Sequence, residues 1–232
     1  MTLASVFGRA LRGVFVAIMW WRHPRPIHSR GIVLHGTMTR WAAAVPSGIA
    51  WVDAADRGEV EVVARLSRSV GLPPSLPDVI GLAVRIPGET APMDLELAST
   101  GLGIPSRFIL TLRRSASRAR FGTLFPYRTP RGAVLLCALP MDPDALPAGG
   151  RALDDALARE PWRLRMLFAT PTGVWHPFGV LSLHRADRQD DADLRFDSVR
   201  HPLTGTDTYT WVRALRQPSY ERVQGGEGGS PS

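Results

Sequence analysis

From Gly31 onward the hydrophobic residues fall into short runs, some alternating with polar positions and some continuous, separated by Gly, Pro and Asp. A period of two marks a half-buried strand, and short apolar runs bounded by turn residues mark buried ones. The pattern predicts strands at 31–39, 59–68, 79–86, 93–99, 107–114, 133–139, 163–170, 177–184 and 192–197. The connections are of hairpin or moderate length and show no regular strand–helix alternation. That organisation predicts a closed antiparallel β-barrel of about eight strands within an α+β chain. Residues 141–161 are the main interruption, with a helix predicted over Ala152 to Arg159.

Before Gly31 the period changes. Phe7, Leu11, Val14, Phe15, Ile18 and Trp21 recur at helical spacing, predicting an amphipathic helix over residues 1–24 that His23-Pro24-Arg25-Pro26 terminates. Its apolar run is too short to span a bilayer, and no small-residue cleavage site follows it. Residues 3–21 are expected to dock on the body of the protein, on a neighbour or on a membrane surface. A single domain over 25–224 is expected, with a helical stretch starting near Thr208 and a Gly/Ser/Pro tail over 225–232 disordered by composition.

Composition narrows the classes. With 232 residues and 44% hydrophobic content, the chain can bury one substantial core. Its net charge of +7 is carried by arginine alone, since no lysine occurs. The arginines are scattered, and the one dense run, from Arg113-Arg114 through Arg118 to Arg120, lacks interleaved aromatics, so no nucleic-acid partner is expected. The single cysteine, Cys137, excludes an internal disulfide and a multi-cysteine zinc site, and a reducing cytoplasm fits. His176 and His184 lack metal-ligand spacing, Asp190-Asp191-Ala192-Asp193 lacks the remainder of a calcium loop, and no serine has a Gly-x-Ser-x-Gly context.

Candidate chemistry centres on His35, in the apolar run Ile32-Val33-Leu34-His35-Gly36-Thr37. Strand geometry turns the imidazole the way Val33 faces and puts Arg65 and Ser67 on one face of the next strand. Buried without partners, these groups would cost several kcal/mol, so they are expected to satisfy one another or to address something bound between them.

Gly31 to Thr37, Ala64-Arg65-Leu66-Ser67, Asp78 to Ile86, and Asp94-Leu95 ahead of Ser99-Thr100 follow one another in an order and spacing that resembles the haem-catalase superfamily. The resemblance covers roughly residues 25 to 115 and, more weakly, the C-terminal 30. It implies an eight-stranded antiparallel barrel carrying haem b. His35 then matches the distal acid/base, Ser67 the serine that fixes its tautomer, and Arg65 the arginine on a haem propionate, with Val33 beside the cofactor. Arg216-Gln217-Pro218-Ser219-Tyr220 matches the proximal Arg-x-x-x-Tyr motif, so the resemblance implies Tyr220 as the axial iron ligand and Arg216 as its support.

The chain departs from the family in several places. Pro218 sits inside the proximal motif, the aspartate after the tyrosine is missing, and Ile32 stands where an arginine precedes the distal histidine. The distal asparagine is replaced by Ala98 or Ser99, and a Ser99 hydroxyl is a shorter handle on peroxide than an amide. The implied activity is therefore that of a peroxidase or hydroperoxide-converting oxidoreductase rather than a true catalase, in a monomer or homodimer. Two other readings stay open: a haem-free barrel that binds an apolar ligand or a protein, and a hydrolase of the phosphodiesterase type.

Overall fold

The computed structural model describes residues 31–54, 58–69, 71–186, 194–210 and 212, all within one compact unit. The predicted helix over 1–24, the membrane-contact segment 3–21, Arg216, Tyr220 and the tail 225–232 lie outside the described residues, as does most of the stretch after Thr208.

In order, the elements are β1 (Ile32–Arg40), α1 (Ala50–Asp53), β2 (Glu59–Arg68), β3 (Ile80–Ile86), β4 (Met93–Ser99), β5 (Phe121–Gly122), β6 (Tyr127–Thr129), β7 (Gly132–Pro140), α2 (Gly150–Arg159), β8 (Trp162–Ala169), β9 (His176–Arg185) and β10 (Asp207–Thr208). Strands β1, β2, β3, β4, β5, β7, β8 and β9 pair antiparallel around a closed ring, and β6 and β10 extend the sheet from β7. Closure leaves none of the eight as a bare edge. No helix among the described residues is long and apolar enough to cross a membrane.

Alternation builds the barrel wall. In β3, Ile80, Leu82, Val84 and Ile86 are buried, whereas Gly81, Ala83 and Arg85 face outward. Leu34 and Met38 of β1, Val62, Ala64 and Leu66 of β2, and Leu95 and Leu97 of β4 join the same core. Opposite them, Phe121 and Trp162 meet edge to face, with ring centroids 5.8 Å apart. The interior is thus filled with apolar side chains. At the β1/β9 seam the backbones approach so closely that a Cβ on Gly36 would stand 1.8 Å from the Ser182 carbonyl oxygen.

Strand direction assigns the loops to two ends. Connections 69–79, 100–120 and 141–161 leave and rejoin the barrel at the end where β1 begins, and 41–58, 87–92 and 170–175 at the other, with the stretch 102–107 folding back to meet 170–175. At the first end α2 packs on β9 and buries Leu153 and Leu157 in the core.

Two predicted strands are absent. Residues 107–114 instead form a 3-10 turn at Ser106–Phe108 and isolated bridges at Leu110 and Arg113. The reason is a long-range tether: the buried Arg107 donates to the Thr170 and Gly173 carbonyls at 2.9 and 3.0 Å and lies over the Trp175 ring. Trp175 Nε1 in turn donates to the Leu102 carbonyl. Of 192–197, the described residues 194–197 carry no strand; they belong to a segment laid over β3 and β4. There Arg85 forms a two-pronged ion pair with the buried Asp94, whose second oxygen also accepts from the Asp197 N–H, each contact at 2.8 Å.

Candidate functional site

Because the barrel interior is filled, its outer wall carries the candidate site, and the strand registers fix which side chains meet there. His35 lies opposite Val63 of β2 and opposite His184 of β9. Val63 lies opposite Arg85, which lies opposite Asp94. The next row toward the start of β1 runs Val33, Arg65, Ala83, Glu96, and the row beyond it runs Ser67, Gly81, Ala98.

His35 is exposed, which corrects the expectation of a buried imidazole. The apolar residues beside it mislead: Leu34 and Met38 face inward, and the odd positions of β1 face out. Val33 also points to this outer side yet is buried, and Arg65 is half-buried. The imidazole, Val33 and the guanidinium therefore share one wall, with Arg65 diagonal to His35 across β1 and β2.

Ser67 does not reach the imidazole. It stands four residues beyond Val63, about 13 Å along the strand, and its Oγ leans over Gly81, where an added Cβ would come within 3.0 Å. Ser99 is excluded more firmly. It is fully buried on the opposite face, where its Oγ accepts from the Ile80 N–H at 3.0 Å and donates to the Thr111 carbonyl at 2.6 Å. Ala98 faces outward in its place, so the position matched to the family asparagine bears no polar handle.

Sequence spacing did not single out His184 as a partner of His35, because 149 positions separate the two. The Ala186 N–H donates to the Val33 carbonyl and the Trp41 N–H to the Phe178 carbonyl. Both bonds put His35 and His184 in a hydrogen-bonded register, with Cα atoms about 5.5 Å apart. His184 also lines a depression of about 300 Å³ against α2, with Asp154, Asp155, Ala158, Arg185 and Ala186. Arg185 pairs with Asp154 at its rim.

Between these groups and the segment over β3 and β4, the wall is low. Gly81, Ala83 and Ala98 form a floor of small residues, bordered by Glu96, whose carboxylate accepts from Ser198 Oγ at 2.7 Å. Arg65, in the row of Ala83, presents a cationic fork suited to an acidic group, and His35 stands diagonal to it on β1. Among the described residues no group of three or more His, Cys, Asp or Glu is placed to hold a metal ion. Cys137 is buried on the outer side of β7, and burial pushes its thiol up to about 12 against the opposing pull of Arg107 and Arg120. It is an inert packing residue rather than a nucleophile.

No protein-family model matches the chain, and no curated protein matches it.

Proposed function

We propose that this protein is a haem b-binding, catalase-like oxidoreductase that acts on a peroxide or an organic hydroperoxide from the outer wall of its barrel. The observation that carries the reading is the placement of His35: it stands outside a filled barrel, on the same wall as Val33 and Arg65. An imidazole there is no core histidine, and any ligand it serves must lie outside the barrel.

The residues fit half of a haem site. Arg65 offers a guanidinium fork to a propionate, and His35, diagonal to it on the same outer wall, is the proposed distal base. Tyr220, with Arg216 beside it in the motif, is the proposed iron ligand. When bound, the haem would supply the iron that accepts the peroxide.

His35 would take the proton from one peroxide oxygen and return it to the other as it leaves, which requires a neutral imidazole of fixed tautomer. His184, opposite His35 in the β1/β9 register, would hold that tautomer, a role the resemblance gives to Ser67. With Ala98 rather than an amide on the wall, the second peroxide molecule of a disproportionation lacks a handle. Peroxidation or hydroperoxide conversion follows.

A haem-free barrel that binds an apolar ligand or a protein is the second reading, favoured by the same outward Ala98. The visible spectrum of protein expressed with iron and a haem precursor separates the two. A Soret band that disappears in Tyr220→Phe supports the haem reading, with His35→Ala then abolishing peroxide turnover while the band remains. A protein that stays colourless after reconstitution overturns it.

A further inference from the structure

The barrel end at which β1 begins carries an exposed apolar and basic surface that the haem reading does not use. Residues 71–76 are all exposed, with Leu72 at 37% and Leu76 at 47%, and Leu112 beside them reaches 63%. A single side chain ties these loops together. Arg68 donates to the carbonyls of Leu72 (3.2 Å) and Leu76 (2.5 Å) on one loop and of Arg114 (3.2 Å) on the other. The loops also exchange backbone hydrogen bonds between Asp78 and Arg113, at 2.9 and 2.8 Å. The buried Asp78 carboxylate accepts from the Gly71 and Leu72 N–H groups and lies 3.9 Å from Arg68. The leucines are therefore held outward by a fixed frame.

Charge on the 69–79 and 100–120 connections is one-sided. The sequence holds no acidic residue between Glu61 and Asp78 or between Glu96 and Asp142. Facing carboxylates are Asp78, which is buried, and Asp144, which pairs with Arg118 at 2.5 Å; Asp142, Asp154, Asp155 and Glu160 lie farther round on the 141–161 connection. Among the described residues no salt bridge engages Arg113, Arg114 or Arg120. Fixed leucines projecting beside arginines match a surface whose interior is apolar and whose headgroups are anionic.

We propose that this end of the barrel docks on an anionic lipid surface, with Leu72, Leu76 and Leu112 entering the headgroup boundary and the exposed Arg114 and Arg120 facing lipid phosphates. The apolar stripe that the sequence carries over residues 3–21 is a separate contributor that the test must distinguish.

The test is co-sedimentation of the full chain with phosphatidylcholine vesicles, with and without about 30 mol% phosphatidylglycerol. Binding is expected to the anionic vesicles only and to weaken as salt rises from about 0.1 to about 0.5 M. Leu72→Ser/Leu76→Ser/Leu112→Ser is expected to lower the partition coefficient at least about tenfold, and Arg114→Glu to lower it independently. Val45→Ser, which changes an exposed apolar residue in the 41–58 connection at the opposite end, is expected to leave it unchanged. Absence of binding, equal binding to neutral vesicles, or retained binding by both loop variants through residues 3–21 overturns the proposal. So does variant-sensitive binding to a DNA duplex without binding to vesicles.

Discussion

Replacing Asp94 by Asn tests what holds the segment from 194 to 203 over the barrel wall. The Asp94 side chain is fully buried and receives three donors at 2.8 Å: Arg85 Nε, Arg85 Nη2 and the Asp197 N–H. The Asp94 N–H meanwhile donates to the His201 carbonyl. Asparagine keeps the shape but turns one acceptor into a donor that faces a guanidinium. Removing one partner of a buried pair costs about 3–5 kcal/mol. Arg85 retains 28% exposure, so solvent and the Arg195 carbonyl offset part of the loss, leaving about 2–3 kcal/mol.

For a domain of this size that corresponds to a fall in Tm of roughly 4–12 °C, measured by calorimetry. Hydrogen exchange at Asp197 should accelerate with it. The double variant Arg85→Met/Asp94→Leu should recover most of the loss, since apolar replacement of both partners removes the orphaned charge. If the double variant loses the sum of the two single losses, the pair is not coupled and the reasoning fails. The Arg85 pKa is raised, first by its hydrogen bonds to Asp94. The stabilisation is therefore fully present below the ordinary guanidinium range and is lost only as pH rises through the raised value, so titration near neutrality should leave it intact.

Ser99→Ala should destabilise the barrel by about 1–3 kcal/mol in urea titration, because it orphans the buried Ile80 N–H, while any haem spectrum stays unchanged. Gly36→Ala should give insoluble or unfolded protein by circular dichroism, since the new methyl would have to displace the Ser182 backbone rather than a side chain. Cys137 should not react with a thiol reagent at pH 8 until denaturant unfolds the chain. Its folded pKa lies near 12, raised from 9.0 by burial. Its contribution is therefore present below about pH 9 and falls as pH rises toward 12, which denaturation at pH 8 and 10.5 would detect.

Much of the barrel was legible in the chain. The predicted bounds for 59–68 and 93–99 match β2 and β4, and most of the other strands were displaced by only a residue or so, because a period-two apolar pattern beside Gly and Pro is local information. The two-residue β5 was not legible: nothing in Phe121-Gly122 sets it apart until Ala98 and Cys137 flank it. The predicted strand at 107–114 failed for the converse reason, since its apolar residues suit a strand but Arg107 is held by carbonyls more than sixty positions away.

For the candidate site, the sequence determined that His35 shares a face with Val33, and Arg65 with Ser67, since alternation in a strand needs no partner. Which face turns to the core, and which rows align, depends on inter-strand register, and register is a property of pairs of segments. Only the tertiary structure therefore put His35 outside the barrel, moved Ser67 beyond its reach, turned Ser99 inward and brought His184 opposite.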